Sequence, residues 1–155
     1  MIKTFAMLAL VAAAAASPAA AQVTLENKVM KETQTRAADG TVRSQVSAAR
    51  SIAPGATAVY VMTYRNGGRA PASNLVISNP VSKDVVYSGV GPNSQSPEVS
   101  VDGGKSFGTL AQLRVRTASG DRAAQATDVT NVRWVVAGPV APGASGSVSY
   151  KGTVK

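Results

Sequence analysis

The chain has 155 residues, room for one domain of ordinary size. Apolar residues make up 45% and charged residues 15%, with 14 Gly and 8 Pro, which suits a folded, turn-rich chain and argues against a disordered one. Cys and His are both absent, so disulfides, thiolate nucleophiles, imidazole bases and the common zinc sites are excluded, while a formal charge of +8 directs attention to anionic partners.

The chain opens with a positive charge in Met1 to Lys3, an apolar run from Phe5 to Ala16, and small residues from Ser17 to Ala21. That layout predicts a secretory signal peptide over residues 1–21, cleaved after Ala21. A membrane span needs about 20 apolar residues, and this run is shorter and rich in Ala. Cleavage leaves 134 residues, and loss of Lys3 lowers the charge to +7. No second apolar span, lipid-attachment Cys or sorting tail is visible, so the expected product is exported to the periplasm, the cell surface or the medium and does not span a membrane. Lacking Cys, it relies on its core alone for stability.

Residues 22–51 form an N-terminal strand region. Val23, Leu25 and Val29 occupy alternate positions within Gln22 to Thr33, which predicts a strand with one apolar face. Two readings are open: the first strand of the chain's own sandwich, or a donor strand that pairs with an open edge of another copy, where contacts that do not close give filaments. Ala37 to Gly40 is a polar break, and Val42 to Ile52 is a second, weaker strand.

Residues 52–155 carry the rest. Ala56 to Asn66 combines β-branched and aromatic residues between Pro54-Gly55 and Gly67-Gly68, with Tyr60, Met62 and Tyr64 on one face and Val59 and Val61 on the other. Short strands are expected at Leu75 to Ser78, Val85 to Ser88 and Glu98 to Val101, separated by Asn79-Pro80 and Gly91-Pro92. Asp102-Gly103-Gly104-Lys105 reads as a tight hairpin turn, since Gly tolerates the positive φ it needs. Leu110 to Arg116 alternates, placing Leu113 and Val115 opposite Arg114 and Arg116, and Thr117 to Asp128 reads as a loop. Val129 to Val136 puts Val132, Trp134 and Val136 on one face, and Ser145 to Val154 aligns Val148, Tyr150 and Val154.

No 11-residue window of the mature chain carries an apolar stripe at helical spacing, and turn signals recur about every 8 to 15 residues. The expected fold is all-β: a single immunoglobulin-like antiparallel β-sandwich of about 7 to 9 strands. Its core is expected to contain Tyr60, Met62, Val132, Trp134, Val148 and Tyr150, with Trp134 between the sheets.

Pro54-Gly55-Ala56-Thr57 leading into Val59 to Gly68, then Ala70 to Ile77, resembles the opening of the bacterial conserved repeat called domain of unknown function 11. Val99 to Phe107 resembles that family's middle hairpin, and Val132-Arg133-Trp134 with Pro142 to Tyr150 is similar to its closing strands. The resemblance covers about residues 52–155, in a single copy. It implies an immunoglobulin-like sandwich of secreted and cell-surface proteins, and no catalytic residues.

Reactive constellations are few. Ser82-Lys83 and Ser149-Tyr150-Lys151 place a hydroxyl near an amine, the minimum for a Ser-Lys pair, but Ser149 and Lys151 would share a water-facing side. There is no Gly-x-Ser-x-Gly elbow, phosphate loop or paired-carboxylate cluster. Asp102 is the one candidate for calcium, and turn aspartates ordinarily bond their own backbone. The Arg and Lys residues are scattered rather than interleaved with exposed aromatics, so no specific nucleic-acid binding is expected. Expected partners are another copy of the chain or another cell-envelope protein, with an anionic glycan or surface polymer as the alternative, and Tyr60, Tyr64 or Tyr87 as stacking faces. No cofactor, metal or enzymatic activity is expected.

Overall fold

In the computed structural model, residues 21–48 and 51–155 are described, so the expected signal peptide lies, apart from Ala21, outside the described residues. Ten strands follow: β1 Val23–Arg36, β2 Val42–Ala48, β3 Thr57–Asn66, β4 Val76–Pro80, β5 Val85–Val90, β6 Glu98–Ser100, β7 Arg114–Thr117, β8 Gly120–Ala123, β9 Asn131–Val135 and β10 Ser145–Val154. Two single 3-10 turns, Leu110–Gln112 and Ala126–Asp128, flank the β7–β8 hairpin.

Eight strands form two antiparallel sheets. One has the order β2-β1-β3-β10-β5, the other β4-β9-β6, and β7-β8 stands apart. The fold is therefore the all-β antiparallel sandwich expected from the sequence. After β3 the chain crosses to the three-stranded sheet for β4, returns for β5 and crosses again for β6 and β9, and the closing strand β10 inserts between β3 and β5. Such crossing connections keep strands distant in sequence side by side.

The core lies between β3, β10 and β5 on one side and the three-stranded sheet on the other. Met62, Val132, Trp134, Val148 and Tyr150 are buried as expected, and Tyr60 is half-buried against them. Tyr150 is the hub. Its ring stacks on Tyr60 at 4.7 Å between centroids, and Tyr87 and Trp134 each lie 6.3 Å away. Aromatic pairs in these offset and tilted arrangements gain about 0.5–1.5 kcal/mol beyond area burial. Both polar handles are met: Trp134 Nε1 donates to Gln95 O at 3.0 Å, and Asn79 Nδ2 donates to Tyr150 Oη at 3.1 Å. Desolvation pushes the Tyr150 hydroxyl up to about 12.

Several local expectations change. Asp102 to Lys105 is not a two-residue turn. The loop from Val101 to Phe107 is wider, closed by the reciprocal Val99–Gly108 bridge, and Gly103 and Gly104 both take positive φ (77° and 87°) within it. Thr117 to Asp128 is not all loop, because Gly120–Ala123 pairs with β7 as β8. Leu110 to Gln112 turns as a 3-10 segment before β7 instead of continuing its strand. Ser149 does not face water. It is buried beneath the segment after β5, where its hydroxyl donates to Pro92 O and its N–H to Ser94 Oγ.

Candidate interaction surface

β1 and β2 extend beyond the sandwich. β1 pairs with β3 from Val23–Asn66 to Lys31–Ala58, and with β2 from Met30–Ala48 to Arg36–Val42. The two ladders overlap only at Met30 and Lys31. The second half of β1 and all of β2 thus form a two-stranded arm projecting past the start of β3. A three-residue turn closes the arm, with Gly40 at φ 84° donating to Ala37 O, Ala37 donating to Thr41 O, and Asp39 Oδ1 accepting from the N–H and hydroxyl of Thr41.

Val23, Leu25 and Val29 stand on β1 in the chain's own sheet. Their partners in register are Asn66, Tyr64 and Tyr60, so they share the face of β3 that builds the core. Yet Leu25 is 48% and Val29 45% exposed. The facing sheet has only three strands, β4, β9 and β6. Neither β1 nor β2 contributes to the hydrophobic core or to the partly buried residues packed against it.

The backbone of β1 also has a bare edge. Gly67 donates to Gln22 O, so Val23–Asn66 is a pair without mutual bonds. Alternation along an antiparallel ladder then turns the N–H and C=O of Val23, Leu25, Asn27 and Val29 away from β3. Past Lys31 the same alternation turns them into β2, leaving Val42, Ser44, Val46 and Ala48 with outward groups. Among the described residues, nothing pairs with either row.

Other strand edges are blunted. β4 is short and ends in Pro80, β6 is backed by Gly108, and β5 carries a bulge beside Gly89 and abuts the second 3-10 turn. Such devices are how edges avoid unwanted pairing. Along Val23 to Val29 the β1–β2 margin has neither proline nor bulge, and its charges there, Glu26 and Lys28, are paired with each other at 3.1 Å.

An ionic latch fixes the arm's base. Lys151 Nζ on β10 donates to Glu32 Oε1 on β1 at 2.7 Å, and Ser44 Oγ on β2 donates to the same oxygen. Glu32 is 6% and Lys151 30% exposed at the side chain. The hydrogen bond from Lys151, with that from Ser44, holds the Glu32 carboxyl below its ordinary value. The sequence reading put Lys151 in water and gave Glu32 no role.

The remaining candidates close on themselves. Asp102 accepts from the hydroxyls of Ser100 and Ser106 and from the N–H groups of Lys105 and Ser106, which holds its carboxyl far below the usual range. Among the described residues no cluster of three acidic side chains could hold a metal ion. Arg122 grips Asp128 with two bonds of 2.7 Å, Arg133 pairs with Glu98 and lies 4.1 Å over the Phe107 ring, and Arg116 meets Asp121 at 3.4 Å. Tyr60, Tyr64 and Tyr87 pack against the core rather than standing free. An open groove of about 320 Å³ lies where β1 begins, lined by Thr24, Leu25, Glu26, Thr63, Arg65 and Ser145. Among the described residues no helix is long and apolar enough to cross a membrane.

Asn66 is the buried residue the sequence reading missed. Its Nδ2 donates to Ala70 O and Val140 O at 2.8 and 2.9 Å, and its Oδ1 accepts from Gly68, so one amide pins two loops at the end of β3. The signal available was an Asn at a strand end before Gly-Gly. No family model, curated protein or solved structure matches the chain.

Proposed function

We propose that the chain is a non-enzymatic, exported structural and interaction module of the bacterial cell envelope, which associates with copies of itself through its N-terminal strand region, assembling by strand addition into a surface polymer. The observation that carries this reading is the β1–β2 margin. It combines a bare run of main-chain donors and acceptors with two apolar side chains left half in water. The other strand edges of the two sheets are blunted, and outside this margin the exposed large apolar side chains among the described residues are the paired Val76 and Val135. Main-chain pairing at an open edge is a general route to association between chains. The resemblance of residues 52–155 to domain of unknown function 11 belongs to the same proposal.

The test is the mass of the mature protein, residues 22–155, by light scattering over a range of concentrations, beside a variant whose arm, residues 32–47, is replaced by a short Gly-Ser turn. Mature protein above its monomer mass, and an arm variant that keeps the Trp134 fluorescence of the folded core but stays monomeric, is the expected result. A mature protein that is monomeric throughout, also after unfolding and refolding, defeats the proposal. Salt-sensitive capture on an anionic polysaccharide by that monomer would favour the alternative, a monomeric binding module for a glycan or anionic surface polymer, because screening acts on charge contacts far more than on strand pairing.

A further inference from the structure

We infer that the β1–β2 margin is self-complementary, and that a second copy of the chain fits it about a two-fold axis, each β2 filling the notch beside the other copy's β1. This rests on the proposed self-association through the N-terminal strand region and replaces its open polymer, at this margin, with a closed pair.

The margin is stepped. Among the described residues the edge of β1 is open from Val23 to Val29, and from Met30 to Arg36 it is covered by β2, which itself presents an open edge. The open stretch and β2 are each seven residues long. A two-fold axis perpendicular to the sheet, placed at the step, brings the β2 of one copy into the notch of the other. The same operation fills the second notch, so the contact is isologous and closes.

The main chain agrees with that placement. In such a dimer each β2 runs parallel to the β1 it joins. In a parallel pair, a residue with outward groups bonds to the two residues flanking its opposite number. The outward groups of β1 belong to the odd-numbered Val23, Leu25 and Asn27, and those of β2 to the even-numbered Val42, Ser44, Val46 and Ala48. Setting Leu25 opposite Gln45 of the second copy therefore lets Leu25 bond to its Ser44 and Val46, and the residues two before and two after follow in step.

The faces agree as well. Leu25 lies on the core side of its sheet, and Gln45, opposite Thr33, lies on that same side, as a two-fold normal to the sheet requires. On the other side Glu26 meets Val46 and Lys28 meets Ala48, so no like charges oppose one another. A direct β1–β1 pairing does worse. The register using the whole open stretch sets Glu26 against Glu26, and a register setting Glu26 against Lys28 drives the N-terminal end of one β1 into the other copy's β2. Dovetailing uses the open row of β1 from Val23 to Asn27 and that of β2 from Val42 to Ala48.

A chain without cysteine allows a direct test. The double variant Leu25→Cys/Gln45→Cys has its two thiols about 27 Å apart within one chain, eight residues along the ribbon, so no internal disulfide forms. Between dovetailed copies they fall on adjacent strands, roughly 4.8 Å apart, inside the range a disulfide spans. Mild oxidation is expected to give a covalent dimer and nothing larger, and Val46→Pro, which removes an outward N–H without touching the β1–β2 ladder, is expected to weaken the dimer by about tenfold to a hundredfold. A covalent ladder of trimers and higher species overturns the two-fold fit while leaving self-association standing. Association without cross-linking does the same. A monomer that neither associates nor cross-links overturns both.

Discussion

Cutting the latch at the base of the arm tests how the arm is held. Lys151→Met removes the cation but keeps the aliphatic stem that crosses the outer face of β3, leaving the Glu32 carboxylate, 6% exposed, with Ser44 as its remaining side-chain partner. Breaking a fully buried pair by removing one partner costs about 3–5 kcal/mol. Because Lys151 is 30% exposed and water reaches its end of the pair, the expected cost here is smaller, about 1–3 kcal/mol. That cost should fall on the arm, since neither arm strand contributes to the hydrophobic core. Hydrogen exchange at Thr33 and Gln45, which pair in the β1–β2 ladder, should accelerate by roughly tenfold to a hundredfold, with Val132 and Tyr150 unchanged. The double variant Glu32→Gln/Lys151→Met should cost less than the two single changes together, because the stranded charge is gone. Acid should act the same way. The Glu32 pKa is lowered by folding, so the latch contributes fully above the unfolded value of about 4.5 and is lost as pH falls through the lower folded value. Unchanged arm exchange in Lys151→Met, or strict additivity in the double variant, would refute the latch.

Trp134→Ala should cost about 3–5 kcal/mol, seen as a Tm roughly 10–20 °C lower by circular dichroism, because it opens a cavity beside Tyr150 and strands Gln95 O; a loss under about 1 kcal/mol would place the core elsewhere. Asn66→Ala should cost about 2–4 kcal/mol in urea unfolding, and Asn66→Asp at least as much, since a carboxylate there faces the carbonyls of Ala70 and Val140. Asp128 should titrate at about 2 by NMR and return toward 3.8 in Arg122→Met; whatever stability that pair adds is in place above 3.8 and lost as pH falls through about 2.

The strands that build the core were legible because their own side chains specify them. Ser145 to Val154 was read with the bounds β10 has, and Val132 and Trp134 fell on the buried face through simple alternation. β8 was not legible: Gly120-Asp121-Arg122-Ala123 has no strand pattern and is extended only because β7 offers it a partner. Ser149 misled for a related reason, since alternation gives the face but not what lies over it, and a loop 55 residues away in sequence covers that face. The N-terminal region shows the same limit at larger scale. Val23, Leu25 and Val29 were correctly grouped on one side of a strand, yet whether that side is covered depends on how many strands the other sheet has, which no local pattern records.

The two ways in which the N-terminal region could join copies make opposite demands on β1. Donor-strand pairing requires β1 to leave β3, breaking nine registered pairs before equivalent ones form in another copy and uncovering the edge of the strand that carries Met62. The bonds are recovered, so the exchanged and unexchanged states differ little in free energy, but the passage between them runs through an opened sandwich. Exchange is therefore slow and needs unfolding to proceed. Dovetailing leaves every existing ladder intact and adds bonds at an edge already exposed, so it follows mass action on the timescale of ordinary association. Mixing native, differently labelled copies separates them: energy transfer developing within minutes and reversing on dilution belongs to edge pairing, whereas transfer that appears only after denaturation and refolding, and then survives dilution, belongs to strand exchange.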